Sequence, residues 1–278
     1  MGELYIVSTP IGNLKDITLR AIDTLKEVDL IYSEDTRITN KLLNHLGVKT
    51  RIHSLNEHNE IKKTPKILRQ LLQGKTAALV SDAGTPLISD PGYYLVKEAR
   101  KNFIDVIPIP GCSALIAALS VSGLATDKFY FHGFLPSSQS AQIRQLDKLA
   151  QRRETLVFYE SVHRLQSTIC SMIKVFGELR KAIICKEITK LHESFFGQNL
   201  SEINQFIKNN SKKIKGEFTI IIAGSKQEQE IIDQLKIDKI LLELLPEMSI
   251  KKAVSICVLV SGFKRNEIYK RAVELKSQ

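Results

Sequence analysis

Two adjacent carboxylates and an arginine two residues on, Glu34-Asp35-Thr36-Arg37, follow the apolar run Leu30-Ile31-Tyr32 after the single residue Ser33. A carboxylate at the end of a buried strand can act as a general base, and a guanidinium beside it can anchor a phosphate or a substrate. The same residues also suit a helix N-cap with a local ion pair, and residue type alone leaves both roles open. Phe158-Tyr159-Glu160-Ser161-Val162-His163-Arg164 repeats the theme, with Glu160 suited to bind a ligand or to cap the helix that follows. A third segment, Ser81-Asp82-Ala83-Gly84-Thr85-Pro86-Leu87-Ile88-Ser89-Asp90-Pro91-Gly92, lies between the apolar run Ala77–Val80 and the helical pattern Tyr93–Ala99. A strand, a Gly/Pro/Asp loop and a helix in that order place the loop at the carboxyl edge of a sheet, where α/β proteins bind small ligands. Val7–Asp16 has the same strand–loop–helix order, although alone it fits an ordinary βα turn.

Several chemistries find no support. There is no G-x-G-x-x-G fingerprint and no P-loop, so nothing favours a nucleotide held through its phosphates. No Ser/His/Asp or Cys/His arrangement stands out for nucleophilic catalysis. His45, His53 and His58, with Glu57 and Glu60, match no common metal spacing, and no metal site is expected. Residues His53–Lys63 read as a mobile surface loop able to close over a substrate. Cys112, Cys170, Cys185 and Cys257 suit neither a zinc site nor a disulfide framework, which fits a reduced, cytoplasmic compartment. Cys112 and Cys185 read as small core residues. No signal peptide is visible and no apolar stretch is long enough to span a membrane.

The elements that must position these residues alternate. Strands are expected at Leu4–Val7, Leu30–Tyr32, Ala77–Val80 and Val106–Ile109. Helices are expected at Thr18–Glu27, Asn40–Leu46 (stopping at Gly47), Thr64–Gln73 (stopping at Gly74) and, following Pro110-Gly111-Cys112-Ser113-Ala114, through Leu119. This is the order of an α/β domain with a mainly parallel sheet, assigned to residues 1–118. Beyond the aromatic-rich stretch Phe129–Pro136 come a polar helix at Ser140–Arg153, strand Thr155–Tyr159, helix His163–Phe176, and strands at Lys181–Lys186 and Phe218–Ala223. Residues 119–225 therefore read as a second, α+β domain. Residues 226–278 read as a helical module: Gln229–Leu245, a helix capped by Ser249 and running through Val260, a break at Gly262, and a last helix capped by Asn266.

The 278-residue chain carries a net charge of +10, which favours a polyanionic partner such as nucleic acid, or else general solubility. The excess is concentrated near the end, where Lys251, Lys252, Lys264, Arg265, Lys270, Arg271 and Lys276 face only Glu267 and Glu274. A helix–turn–helix-like pair with a basic turn suggests a nucleic-acid contact, with a solvated capping module as the alternative. On the same grounds His163 and Arg164 face RNA or solvent.

Taken together, the motifs resemble one family in order and spacing. They are Leu4–Thr18, Ser33–Arg37, Asn56-Glu57-His58-Asn59-Glu60, Val80–Gly92, Pro110-Gly111 with Ser113-Ala114, His132–Pro136, Phe158–Arg164 and Lys186-Glu187-Ile188-Thr189-Lys190. Over essentially its whole length the chain resembles the tetrapyrrole methylase superfamily of S-adenosylmethionine enzymes, and within it the members that act on ribosomal RNA. The resemblance implies two α/β domains with S-adenosyl-L-methionine in the cleft between them, a small C-terminal helical module and a homodimer. It implies methyl transfer to the 2′-hydroxyl of a cytidine in the decoding centre of 16S rRNA, within the small ribosomal subunit. By motif position, cofactor contacts fall at Ile11, Gly12, Asp82, Thr85, Ser113, Ala114, Tyr159 and Glu160. Proton removal is assigned to Asp35, with Glu34 or Glu187 as substitutes, and substrate or phosphate anchoring to Arg37. Two departures from the superfamily pattern stand out: the first loop is Ser8-Thr9-Pro10-Ile11-Gly12-Asn13 rather than Gly-rich, and Cys112 stands where proline is common. The alternatives are a tetrapyrrole C-methyltransferase, methyl transfer to a protein as in diphthine synthesis, and a non-catalytic RNA-binding protein.

Overall fold

A computed structural model describes residues 2–210, 215–225, 227–261, 263 and 265–276, with the side chains of 227–235 left aside. These residues divide into two compact units, Met1–Asp147 with Thr155–Ala223, and Lys148–Glu154 with Gly224–Gln278.

The first unit opens with a parallel sheet. Its strands are β1 (Glu3–Val7), β2 (Leu30–Ser33), β3 (Arg51–Ser54), β4 (Ala77–Val80) and β5 (Asp105–Ile109), in the order β3-β2-β4-β1-β5. Every ladder in it is parallel. β2 and β4 are buried along their whole length, which is why they read as unbroken apolar runs. Helices α1 (Leu19–Glu27), α2 (Thr36–Leu46), α3 (Glu60–Leu72) and α4 (Tyr93–Lys101) make the crossovers. Leu4, Tyr32, Leu79 and Leu95 fill one face of the sheet, and Val7, Leu25, Ile31 and Leu43 the other. Thr18 caps α1 by accepting the Ala21 N–H at 3.2 Å. Gly47 ends α2 at φ +66°, the left-handed turn that glycine adopts without penalty.

Helix α5 (Ala114–Val121) follows β5 but packs its Leu115, Ala118 and Leu119 on Val157, Cys185 and Ile221 of a second sheet. That sheet comprises β6 (Phe129–Phe134), β7 (Thr155–Ser161), β8 (Ala182–Lys186), β9 (Ser194–Phe196) and β10 (Glu217–Ile222), in the order β6-β7-β10-β8-β9. β6 and β7 are parallel and the remaining ladders antiparallel. Helices α6 (Gln139–Asp147), α7 (Val162–Phe176) and α8 (Leu200–Asn209) complete this layer.

The second unit contains α9 (Gln227–Leu244), α10 (Ile250–Ser261) and α11 (Arg265–Lys276) around Leu241, Ala253, Val254, Cys257, Ile268 and Ala272. Residues 148–154 belong here too: the Ser225 N–H donates to the Arg152 carbonyl at 2.6 Å. Among the described residues no helix is long and apolar enough to cross a membrane.

Some expectations are corrected. His53–Lys63 is not a loop: it contains the end of edge strand β3 and the first turn of α3. α3 begins at Glu60 rather than Thr64 and carries Pro65 inside it. The first turn is pinned from outside, because the buried Glu60 carboxylate accepts the Leu95 N–H at 2.8 Å. That bond also caps α4, whose own N-cap, Gly92, has no side chain to do so. The polar helix stops at Asp147, short of Arg153, since the following residues join the second unit. Asn266 lies inside α11 rather than capping it, whereas Ser249 does stand at the N-cap position of α10, its carbonyl accepting the Ala253 N–H at 3.0 Å. The expected break at Gly262 and the basic residue Lys264 lie outside the described residues.

Candidate functional site

The loops after β1, β4 and β5 are laced together at the carboxyl edge of the first sheet. Thr9 and Gly84 exchange backbone hydrogen bonds in both directions, at 2.9 and 3.0 Å. The Thr9 hydroxyl donates to the Ser81 carbonyl at 3.2 Å. Thr85 Oγ1 donates to the Cys112 carbonyl at 2.9 Å, so Ser8 Oγ, also 2.9 Å away, must donate to Thr85. Within the loop after β4, Leu87 and Ser89 hold positive φ of 71° and 79°, a backbone state that is strained for residues with a side chain.

Facing these loops are the ends of β6, β7 and β8 and the start of β10. Between them lies a cavity of about 280 Å³, a size suited to a small ligand. Its walls include seven of the predicted residues: Ile11, Thr85, Ser113, Ala114, Tyr159, Glu160 and Glu187. The remaining five, Gly12, Glu34, Asp35, Arg37 and Asp82, do not line it. Gly12 permits a close approach beside it: a methyl group placed there would lie 2.4 Å from Lys190 Cγ and 2.8 Å from Thr189 Oγ1. The next residue confirms the contact, since the Asn13 N–H donates to Thr189 Oγ1 at 3.1 Å.

The wall contributed by the second sheet is internally bonded. Tyr159 Oη accepts the Leu115 N–H at the start of α5, at 3.1 Å, and burial raises its phenol above the ordinary value. Glu160 is 2% exposed. Its carboxylate accepts the Ser161 N–H at 2.9 Å and the Thr168 hydroxyl at 2.7 Å. Arg164 Nε lies 3.3 Å from it, close enough for an ion pair but not aligned as a hydrogen bond. Arg164 Nη2 donates to the carbonyls of Leu135 and Pro136, so this side chain turns inward, whereas His163 is exposed. Lys190 bridges Glu187 at 2.9 Å and Glu217 at 2.7 Å. Burial pushes the Glu187 carboxyl up, but the bonds from Lys190 and the Glu217 N–H outweigh it and leave it below its usual value. Burial raises the Cys185 thiol to about 12, which keeps it protonated and unreactive near neutrality.

The carboxylates after β2 and β4 differ sharply from one another. Asp35 caps α2 and is gripped by Arg37 through Nε and Nη2; the side-chain and backbone bonds from Arg37 hold its carboxyl down at about 2. Glu34 lies above the ordinary range, first through burial and then through the charges of Asp82 and Asp90. Asp82 is raised by burial while its Oδ1 accepts the Asp35 N–H at 3.0 Å. Asp90 is raised by burial, against a hydrogen bond with the Ser81 side chain, and it lines the cavity. Asp90, Phe134 and Lys190 were not singled out from the sequence. Asp90 lies in an Asp-Pro-Gly string that reads as a turn, and Phe134 and Lys190 sit in segments whose residue types do not by themselves point to a role.

In the second unit, Lys251, Lys252, Arg265, Lys270 and Lys276 are exposed. Arg271 is not available in the same way, since it forks onto Asp238 at 2.8 and 2.7 Å and pairs with Glu274 at 3.0 Å.

Residues 3–204 match the family of Tetrapyrrole (Corrin/Porphyrin) Methylases, and residues 232–276 match the RsmI C-terminal HTH domain. A chain from Pasteurella multocida named ribosomal RNA small subunit methyltransferase I is 44% identical over 276 residues, covering 98% of this chain and 97% of its own. The like-named chain of Escherichia coli O157:H7 is 42% identical, covering 98% and 95%. Among solved structures, the uroporphyrin-III C-methyl transferase of Thermus thermophilus complexed with S-adenyl homocysteine shares the fold at a TM-score of 0.55 and 18% identity, covering 80% of this chain and 97% of its own. By near-full-length identity and by its laced methylase fold, the chain belongs to the ribosomal RNA small subunit methyltransferase I family within the tetrapyrrole methylases.

Proposed function

We propose that this protein uses S-adenosyl-L-methionine to methylate the ribose 2′-hydroxyl of a cytidine in the decoding centre of 16S rRNA. The observation that carries the proposal is identity above 40% along nearly the whole of chains that bear the rRNA methyltransferase name. A tetrapyrrole substrate is disfavoured, because the uroporphyrin enzyme accounts for 80% of this chain and leaves a fifth without a counterpart. The exposed lysines and arginine of the second unit suit a polyanion.

The cavity residues fit the cofactor. Ile11, Ala83, Ile88 and Ile188 offer apolar surface, and the amino end of α5 at Ser113-Ala114 offers backbone N–H groups and a positive dipole end suited to a carboxylate. No cluster of positive side chains is needed there, since the transferred group leaves a sulfonium that loses its charge. When bound, the cofactor supplies an electrophilic methyl group. The protein has to hold the 2′-hydroxyl in line with it at near-attack distance and accept the hydroxyl proton. Asp35, held at about 2 and bridged by Arg37, is a weak proton acceptor. Asp90 lines the cavity and is raised by burial, so we assign it the proton, with Glu34, similarly raised, beside it. Arg37, whose side chain is 87% exposed, keeps donor capacity for an RNA phosphate.

The test is methyl transfer to isolated 30S subunits and to naked 16S rRNA with the modified nucleotide mapped. Methylation at a base atom, or at no RNA position, overturns the proposal. Asp90→Asn is expected to lower single-turnover methyl transfer about 10²-fold. A base must be deprotonated to act and Asp90 is raised, so the wild-type rate should climb with pH through a midpoint above the ordinary aspartate value, and this limb should vanish in the variant. Near-wild-type turnover of Asp90→Asn would assign the proton elsewhere.

A further inference from the structure

β6 loses register with β7 in the middle of the strand. Phe131 pairs with Val157, but the next pairs are Gly133 with Phe158 and Phe134 with Tyr159, so His132 is an extra residue. Gly133 takes φ +75° to absorb it. On an unbroken strand, residues three apart point to opposite faces. The bulge cancels that alternation and turns Phe131 and Phe134 to the same side. Both rings meet Tyr159 edge-on, with centroids at 4.9 and 5.8 Å and interplanar angles of 67° and 62°.

The two rings differ in burial. Phe131 packs against the buried cluster of Leu115, Val157 and Cys185. Phe134 lines the cavity yet remains 54% exposed. A lone exposed phenylalanine is unremarkable on a surface, but one re-aimed by a bulge onto a cavity wall is placed there by the backbone. The bulge also lies against the loop after β4: a methyl group built on Gly133 would come 3.8 Å from Ser89 Oγ. The neighbour of Ser89, Ile88, is 41% exposed and lines the same cavity. Phe134 and Ile88 thus flank one contact as a pair of uncovered apolar groups.

A ribose cannot reach a methyl donor in this cavity without bringing its base to the cavity's lip, and an unstacked base needs a new π-face. We propose that Phe134, backed by Ile88, is the seat on which the target nucleobase stacks once it leaves its neighbours in the RNA. The proposal rests on ribosomal RNA being the methyl acceptor. Phe134 is then a positioning residue: it orders the nucleotide and takes no part in the bond changes.

The experiment compares the wild type with Phe134→Ala, Phe134→Leu and Phe134→Tyr on 30S subunits. Loss of a stacked base should raise KM for the RNA roughly 10- to 100-fold in Phe134→Ala. Phe134→Tyr should restore it, and Phe134→Leu, apolar but without a π-face, should not. Melting temperature and sedimentation behaviour should stay as in the wild type, and affinity for S-adenosyl-L-methionine by calorimetry should change far less than the RNA KM. An unchanged RNA KM in Phe134→Ala overturns the seat, as does a loss that falls on cofactor affinity or on oligomeric state. If the wild type itself fails to methylate rRNA, it is the substrate assignment that fails, and the variants are not needed to show it.

Discussion

Arg164→Ala is expected to lower the free energy of unfolding by about 2–4 kcal/mol, since removing one member of a buried ion pair leaves the other charge uncompensated. The carboxylate side chain of Glu160 is 1% exposed, whereas that of Arg164 is 30% exposed, which places the effect somewhat below that of a fully buried pair. The carbonyls of Leu135 and Pro136 lose a donor at the same time. Chemical denaturation gives the value, and the double variant Arg164→Ala, Glu160→Gln should recover part of the loss, because the stranded charge is then gone. Arg164→Lys should rescue poorly, as an ammonium cannot reproduce the planar fork that spans a carboxylate and two carbonyls. A loss below about 1 kcal/mol would mean that Glu160 finds other compensation. Because Leu135 follows Phe134 directly, RNA KM should rise in Arg164→Ala even under conditions where the protein remains folded.

Gly12→Ala is expected to reduce methyl transfer about 10²-fold, the effect of displacing reacting groups by roughly an ångström. The added methyl would overlap Lys190 Cγ and Thr189 Oγ1 and sit 3.2 Å from the Ile188 carbonyl. Relief requires the loop after β8 to withdraw from the loop after β1. That movement would break the bond from the Asn13 N–H to Thr189 and pull Lys190 from Glu187 and Glu217. Calorimetry should show weakened cofactor binding, with the melting temperature less affected, although the loop after β8 meets the core cluster of Leu115 and Cys185 through the partly buried Ile188. Wild-type affinity and turnover would show that the loops part freely.

Legibility from sequence followed burial. β2 and β4, covered on both faces, announced themselves as apolar runs, and Gly47 marked the end of α2. β3 did not, because Arg51–Ser54 is an edge strand without a fully buried residue. β9, of three residues, is too short to show a period, whereas α8 does carry a signal in its Asn199 cap and in the spacing of Leu200, Ile203 and Ile207. At the site, the loops were visible through their Gly, Pro and Asp content, but side-chain commitments were not. Asp35 and Asp90 are the same residue type at the same sheet edge, and only the structure distinguishes an aspartate gripped by Arg37 from one half-buried in a cavity wall. Phe134 was hidden for a different reason: the face of a strand residue follows from parity, and a bulge reverses parity without changing composition.

The pairing of residues 152–153 with 224–225 sets an order on biosynthesis. Ser225 donates to the Arg152 carbonyl, and a methyl group on Gly224 would fall 1.8 Å from the Arg153 carbonyl oxygen, so the two segments fit only when glycine is present and both have been made. At roughly 5–20 residues per second, the earlier segment emerges from the tunnel several seconds before its partner. During that interval residues 148–154, which include the buried Leu149, stand without the rest of their compact unit. A fragment expressed from residue 224 onward would carry the complementary defect, so the terminal helices are not a transplantable cassette unless 148–154 travel with them.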